Sequence, residues 1–289
     1  MLVSTLTSDL AQRYGTEKAI RIIAEAGFDA FDLSLFPMIH DDPTYEMNQP
    51  NYRETAQHLR RVADECGIVC NQSHAPFHSS TADPEETAAI FQKIVRAMEI
   101  ASILGAKIII VHPKQHLLYK GNEETLKQMN LEFYRDLIPY AQKFNIKVAV
   151  ENMWQFYEDR INYSTCAKPE EFVSYLDEIN SEWIVGCLDV GHTAIVNEDL
   201  PNMIHALGSK RLQALHVHDT DFVSDQHTLP FMSKMDFEAI CAALADIGYV
   251  GDITLEADSF LNNVPDGLIP AAVKFMCETT RYLASKASK

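Results

Sequence analysis

Residues 106–112 read AKIIIVH, and residues 146–152 read IKVAVEN. Both segments are short, rich in β-branched residues and apolar at consecutive positions, as a strand must be when helices cover both faces of its sheet. An amphipathic stretch at 123–144 lies between them. Strands that alternate with helices pair in parallel through right-handed crossovers, so these segments predict a strand-helix-strand unit.

The same alternation continues along all 289 residues. The strand candidates are MLVSTL, FDAFDLSL, GIVCNQSH, AKIIIVH, IKVAVEN, WIVGCLDV, LQALHVHD and DITLEAD. Helical spacing covers 16–26, 52–66, 84–104, 123–144, 169–178, a short stretch near 200–207, 236–247 and 267–285. Eight such units predict the α/β class and a single (β/α)8 TIM barrel over residues 1–289. A doubly wound open sheet is the alternative, but its GxGxxG turn is missing after the first strand.

The composition is typical of a globular protein. Hydrophobic residues make up 47% of the chain, and no apolar stretch approaches the roughly 20 residues that span a bilayer. The start, MLVSTLTSDLAQRYG, lacks the basic flank and apolar core of a signal peptide, which favours a cytoplasmic location. The six cysteines lack CxxC spacing and are expected to be reduced core thiols. The number of chains that assemble stays open, a homo-oligomer included.

The charge balance argues against a polyanionic partner. The chain has 24 Lys and Arg against 41 Asp and Glu, a net charge of −17 with histidine neutral. A protein that binds nucleic acid gains most of its affinity from Lys and Arg at phosphates, and no basic patch is visible here. We therefore expect a small-molecule substrate and no nucleic acid or membrane partner.

Carboxylate and imidazole side chains stand where predicted strands give way to loops. They are His74, His112, Glu151, Asp189, His216 and Glu256. A parallel barrel gathers the carboxyl ends of its strands on one rim, and divalent cations bind carboxylate oxygen and imidazole nitrogen. The sequence therefore predicts a metal-centred active site at the C-terminal rim of the strands. Strand-end salt bridges and hydrogen-bonded core histidines are the alternatives for single members.

Further polar residues follow the sixth and seventh predicted strands. Asp189 and His192 form the turn D-V-G-H, in which Gly191 is expected to permit a tight departure from the strand. His216 and His218 alternate on one strand, so both are expected to point into the barrel.

Two long loops follow predicted strands on the same rim. The loop at 36–51 is a candidate lid or substrate wall. The loop at 220–235 carries Asp225 and His227, a pair able to bind a metal or close over a substrate. A solvated loop is the alternative for that pair.

Taken in order, the motifs SHAPF, VHP, VEN, LDVGH, HVHD, DQH and LEAD resemble the xylose-isomerase-like barrel superfamily over nearly the whole chain. That superfamily includes sugar-phosphate isomerases, ketose 3-epimerases, inosose dehydratases and endonuclease IV enzymes. In its epimerases one divalent cation, usually manganese, magnesium or cobalt, has four protein ligands. The resemblance assigns these ligands to Glu151, Asp189, His216 and Glu256. His216 is preferred over His218 because an acidic residue, here Asp219, follows the family's ligand by three positions.

The resemblance implies an isomerase or epimerase of a small sugar, keto-sugar or polyol derivative, with a dehydratase using the same parts. Glu151 and Glu256 would pass a proton through an enediolate. The candidate substrate-binding residues are His192, His74, His112, Glu158 and His218. The epimerases carry a glutamate and an arginine where this chain has Tyr157 and Phe222, with Glu158 one step out of register. We therefore expect the sugar hydroxyls to be recognised differently here.

The resemblance leaves two alternatives. Endonuclease IV enzymes hold up to three zinc ions and act on abasic DNA, and this chain has a match for all nine of their ligands. The matches are His74, His112, Glu151, Asp189, His192, His216, Asp225, His227 and Glu256. The net charge of −17 argues against this reading. The other alternative is a metal-binding barrel without catalysis.

Overall fold

The computed structural model describes residues 1–288, which form an eight-stranded parallel sheet and a separate two-stranded hairpin. The strands in chain order are β1 (Val3–Leu6), β2 (Ala30–Ser34), β3 (Val69–His74), β4 (Ile108–Val111), β5 (Lys147–Glu151), β6 (Trp154–Tyr157), β7 (Arg160–Tyr163), β8 (Ile184–Asp189), β9 (Leu212–His216) and β10 (Ile253–Leu255). The large sheet has the order β10-β1-β2-β3-β4-β5-β8-β9. A parallel bridge between Val217 and Leu255 joins its two edges and closes the barrel.

Helices connect successive barrel strands, as parallel pairing requires. In chain order they are α1 (Ser8–Tyr14), α2 (Thr16–Glu25), α3 (Tyr52–Cys66), α4 (Pro84–Leu104), α5 (Glu123–Phe144), α6 (Pro169–Ile179), α7 (Val190–Ile195), α8 (Leu200–Arg211), α9 (Phe237–Asp246) and α10 (Ile269–Ala287). The predicted TIM barrel is confirmed, and each predicted strand and helix has a counterpart in it. Two short helices were not predicted, α1 and α7. Each has at most seven residues, too few to display a helical period.

The hairpin of β6 and β7 was also missed. Its two-residue turn consists of Glu158 and Asp159, both with positive φ (51° and 57°). Such turns usually contain Gly, often after Asn or Asp, because most other residues adopt a positive φ reluctantly. The pair Glu158-Asp159 contains no glycine, so the sequence shows no clear sign of the turn.

Strand alternation decides which side chains enter the barrel. Val148 and Val150 of β5 belong to the large core between sheet and helices. Ala149 belongs to a separate small cluster with Ile110, Val185, Cys187 and Ala214. Successive residues of a strand point to opposite faces, so this small cluster fills the interior of the barrel. Each of Glu151, Asp189 and His216 lies two residues beyond one of its members and shares its inward direction.

The described residues contain no helix that is both long and apolar enough to cross a membrane. All six cysteines are free; five of them are buried, as expected of core thiols, whereas Cys66 is only partly buried.

Candidate functional site

Four side chains meet at the C-terminal rim of the barrel. One ligand atom from each of Glu151, Asp189, His216 and Glu256 lies within 4.8 Å of the others, and we call this set the central cluster. The first three residues are fully buried and Glu256 is 6% exposed. Three carboxylates in so small and dry a space repel one another strongly unless a positive charge lies among them.

The strand register brings these residues together. Glu151 lies beside Cys187 in the β5–β8 pair, and Asp189 lies beside His216 in the β8–β9 pair. Asn152 ties the strand ends to each other. Its Nδ2 donates to the Asp189 carbonyl (3.0 Å), and its Oδ1 accepts from the Asp189 N–H (2.8 Å). The Glu-Asn pair at the end of β5 therefore combines a cluster carboxylate with the amide that positions a second one.

A buried carboxylate below the central cluster was not predicted from the sequence. Asp32 of β2 lies 3.3 Å from His216 Nε2 through its Oδ2, which also accepts from Gln72 Nε2 (2.7 Å). His216 Nδ1 faces the other way, 3.0 Å from both Glu151 and Glu256. A carboxylate behind a histidine fixes the orientation of the ring and makes the opposite nitrogen a better ligand. The sequence offered one sign of this residue, because Asp32 is an acidic residue within the otherwise largely apolar strand β2.

A second set of ligand atoms shares Glu151. His74, His112 and Glu151 form the first triad, with the two imidazole Nε2 atoms 3.0 Å apart. Glu151 Oε2 lies 2.9 Å from His112 Nε2, yet it has no partner in hydrogen-bonding geometry. Glu151 thus presents one oxygen to the central cluster and the other to this triad.

A third set comes from α7 and the loop after β9. His192, Asp225 and His227 form the second triad, in which Asp225 Oδ2 lies 3.4 Å from His192 and 3.1 Å from His227. Trp154 of the hairpin donates to the same oxygen (3.2 Å), whereas Asp225 Oδ1 is buried without a partner. Asp219 holds the loop in place, because its carboxylate accepts the backbone N–H groups of residues 233–235 at 2.8 to 3.1 Å.

Backbone carbonyls determine which ring nitrogen carries the proton in three of these histidines. His74 Nδ1 faces the Ala75 carbonyl (2.8 Å). His192 and His227 Nδ1 face the carbonyls of residues 152 and 256 at 2.8 and 2.9 Å. A carbonyl can only accept, so each ring donates from Nδ1. When such a ring is neutral, its Nε2 lone pair points into the triad, as in histidines that bind a metal.

The carboxylates and imidazoles of these clusters shift each other's pKa values. Burial raises the pKa of Glu151, but the charges of His216 and His112 outweigh it and hold the pKa well below its usual range. Burial lowers the pKa of His216, yet chiefly the Glu256 charge raises it well above its usual value. The pKa of His227 is raised to about 10, since its contact with Asp225 outweighs burial. The site thus attracts protons or another cation, and its donor set fits a divalent metal ion.

Two predicted substrate-binding residues lie outside these clusters. His218 is fully buried, and its Nε2 lies 3.0 Å from Asp189 Oδ1. A Cβ on Gly191 would lie 2.0 Å from the His218 ring. Gly191 lies inside α7 and has no positive φ, so its role is to leave space for the ring rather than to permit a tight turn. The Glu158 side chain is 63% exposed at the hairpin turn.

A cavity of about 810 Å³ opens in front of the clusters. We call it the reaction cavity. His74, His112 and His192 line it together with Glu151 and Glu256. Its outer walls are aromatic or polar and come from Phe36, Phe77, Trp154, Phe156, Ser80, Gln115, His116 and Gln155. Among the described residues that line it there is no lysine or arginine, so a phosphate group would find no guanidinium or ammonium partner there.

The wall formed by the hairpin is tied to the loop after β4. Gln155 Nε2 donates to the Gln115 and Leu117 carbonyls (3.0 and 2.7 Å), and its Oε1 accepts from the Tyr119 N–H (2.8 Å). Glu171 of α6 supports this loop from behind, since its Oε2 accepts from the Tyr119 hydroxyl (3.0 Å). Burial raises the pKa of Glu171 to about 7.

We expect Glu171→Gln to stabilise the protein at pH 8 but not at pH 4. A carboxyl group whose pKa rises from 4.5 to about 7 on folding contributes stability below pH 4.5, and this stability is lost as the pH rises through 7. Glutamine does not ionise, so the variant avoids this loss of stability at high pH, which is on the order of 2 kcal/mol. Urea unfolding at several pH values measures it. The exposed neighbour Glu170 provides the control, Glu170→Gln, and equal pH profiles for both variants would contradict the assignment.

Comparisons with known proteins agree with this architecture. The sequence pattern of xylose isomerase-like TIM barrels matches residues 20–279. An uncharacterized protein of Methanocaldococcus jannaschii is 25% identical over 244 residues, which cover 81% of this chain and 76% of that protein. Another, from Sinorhizobium fredii, is 24% identical over 162 residues, and the match covers 55% of this chain and half the length of that protein (50%).

Several solved structures share the fold at low sequence identity. A D-tagatose 3-epimerase-like protein superposes with a TM-score of 0.76 at 19% identity and covers 100% of both chains. A D-psicose 3-epimerase in the presence of D-fructose gives 0.77 at 14% identity, over 98% of this chain and 99% of that one. The IolI protein with a bound zinc atom gives 0.79 at 17% identity, over 99% of both. The family resemblance of the motifs is confirmed: the chain belongs to the xylose isomerase-like TIM barrels.

Proposed function

We propose that this protein is a divalent-metal-dependent isomerase or epimerase of a neutral sugar, keto-sugar or polyol derivative. The observation that carries the proposal is the pairing of the central cluster with a reaction cavity free of Lys and Arg among its described lining residues. Aromatic rings such as Phe77 and Trp154 offer flat surfaces to the carbon-bound hydrogens of a sugar, while the Gln115 amide offers a hydrogen-bonding group to its hydroxyls. The similar structures of a D-tagatose 3-epimerase-like protein and a D-psicose 3-epimerase support the same class.

The proposed proton transfer uses two carboxylates. Glu151 ends β5, and Glu256 follows β10 across the barrel mouth. One carboxylate takes the proton from the carbon next to a carbonyl, and the other returns it on the same or the neighbouring carbon. A divalent cation held by the central cluster would stabilise the negative charge of the enediolate. His192 lines the cavity and would contact a substrate hydroxyl.

Deuterium exchange tests this proposal. The metal-loaded protein is incubated in heavy water with D-fructose, D-tagatose and D-psicose, and carbon-bound deuterium is followed by NMR. We expect incorporation next to the carbonyl of at least one ketose. Glu256→Gln should abolish it, whereas Glu182→Gln, on an exposed residue before β8, should not. Absence of deuterium from every ketose in the fully loaded protein would contradict proton abstraction.

A second candidate function is a metal-dependent phosphodiesterase with several ions. The specific observation that favours it is the presence of both triads, each with ligand atoms within 4.8 Å of one another. A one-metal isomerase has no evident need for five further donor residues so arranged. Zinc is the metal that such His- and Asp-rich sets commonly bind. Against abasic DNA as the substrate stand the net charge of −17 and the lack of lysine and arginine among the described residues that line the cavity.

We expect His112→Asn to retain one cation per chain, because His112 belongs to the first triad and not to the central cluster. Elemental analysis after dialysis measures the metal content. The control is His205→Asn on α8, whose side chain is 49% exposed. Three zinc ions in the unaltered protein, with incision of an abasic duplex, would favour the phosphodiesterase. Loss of all metal in His112→Asn would show that the assigned ligand set is wrong.

A further inference from the structure

A second cavity, of about 1030 Å³, adjoins the reaction cavity. We call it the side cavity. It lies between α1, the loop after β2 and the start of α4, and it shares Phe36, Phe77 and His78 with the reaction cavity. The rings of Phe36 and Phe77 meet edge to face with their centres 5.0 Å apart. A pair of aromatic side chains is therefore the boundary between the two spaces.

The lining of the side cavity combines apolar surface with the carboxylates of Asp41, Glu46 and Glu86, which suits an uncharged ring with hydroxyls better than an anion. Ala11, Ile39, Tyr45 and Ile90 provide apolar surface. The one lysine among its described lining residues, Lys93, is already engaged, because its Nζ lies 2.6 Å from Asp41 Oδ2 and donates to the Ile39 carbonyl (2.8 Å). The cavity therefore has no free cation to attract a phosphate or carboxylate group.

Two oxygens at this cavity lack partners. Ser34 is 6% exposed, and its Oγ has no hydrogen-bond partner. Glu46 Oε1 is likewise buried and without one. Both residues line the side cavity. Buried polar groups are normally satisfied, so a hydroxyl-bearing ligand fits this wall.

We propose that the side cavity is a subsite for the second ring of a glycoside. The substrate would then have two parts, a sugar unit at the central cluster and a neutral ring, sugar or aglycone, beyond Phe36 and Phe77. This inference rests on the proposed function, since it takes the reaction cavity to hold a sugar. The shared lining of the two cavities, the apolar surface of the side cavity and its two unpartnered oxygens carry it.

Paired ligands test the subsite. Binding of methyl and phenyl β-D-glucopyranoside, and of the corresponding galactosides, is measured on the metal-loaded protein by NMR titration. We expect the phenyl member of at least one pair to bind about tenfold more tightly, because its ring gains apolar and aromatic contacts. Ala89→Trp, which places an indole in the side cavity, should remove this difference without weakening the methyl glycoside. Ala88→Trp is the matched control, because the exposed Ala88 borders a different cavity.

The outcomes separate the subsite from the proposed function. Equal binding of the methyl and phenyl members, or equal effects of Ala89→Trp and Ala88→Trp, would overturn the subsite and leave the isomerase proposal intact. A lack of binding by every pair would also refute the glycoside subsite, while deuterium exchange decides the isomerase proposal independently. Gln12→Trp, from the opposite wall on α1, repeats the test if Ala89→Trp does not fold.

Discussion

Glu151→Gln is expected to lower the affinity for a divalent cation by at least about 100-fold and to abolish turnover. The two oxygens of Glu151 serve different neighbours: Oε1 lies 3.0 Å from His216, and Oε2 lies 2.9 Å from His112. An amide is neutral, and its nitrogen would be a donor where a lone pair is needed. One substitution therefore damages the central cluster and the first triad together.

Metal content after dialysis and competition with a coloured chelator measure the effect of Glu151→Gln. Glu256→Gln is the informative comparison. Glu256 belongs to the central cluster, like Glu151, but it is not a member of the first triad, so this variant alters the central cluster alone. Glu182→Gln controls for the general loss of one negative charge. A Glu151→Gln protein that keeps its full metal content would refute the assignment of Glu151 as a ligand.

Removal of bound metal is expected to lower the melting temperature by about 10 °C. A ligand present at about 1,000 times its dissociation constant stabilises the folded state by about 4 kcal/mol, and each kcal/mol shifts the melting temperature of a protein of this size by about 2–4 °C. Here the physical cause is the repulsion among Glu151, Asp189 and Glu256, which the cation relieves. Thermal melts with and without chelator measure the shift, and restoring the metal should reverse it. A shift below 2 °C would contradict a tightly bound ion.

This melting difference is expected to grow as the pH rises. In the metal-free protein the pKa of His227 is raised from 6.5 to about 10, and the pKa of His216 is also raised. A raised pKa contributes stability below pH 6.5 that is lost as the pH approaches 10. Between pH 7 and pH 9 the metal-free protein should therefore weaken more than the loaded protein, in which His216 is a neutral ligand of the central cluster and no longer titrates. Parallel melting curves across this range would contradict the reasoning.

The site residues that could be predicted from the sequence are those whose direction follows from the alternation of side chains along a strand. Glu151, Asp189 and His216 follow inward-facing positions of their strands, so a barrel alone suffices to gather them. Asp32 was missed because its partner, His216, lies 184 residues away, and no local pattern reports such a contact. Trp154 was missed because the turn of its hairpin consists of Glu158 and Asp159 and lacks the glycine that normally indicates such a turn.

The side cavity could not be predicted at all. Its walls come from α1, the loop after β2 and α4, which meet only through tertiary packing. From its place in the chain the loop at 36–51 is a candidate lid or substrate wall, and in the structure its residues line two cavities rather than one. Loop conformation depends on contacts that a single sequence does not display.

The position of Glu151 between two donor sets has a thermodynamic consequence. If two cations bind, they compete for the charge of one carboxylate, so filling one position weakens the other by the same factor in either order. Binding isotherms would then deviate from identical, independent sites, with a tight first step and a weaker second one. Cellular metal availability would thereby decide how many ions the barrel carries.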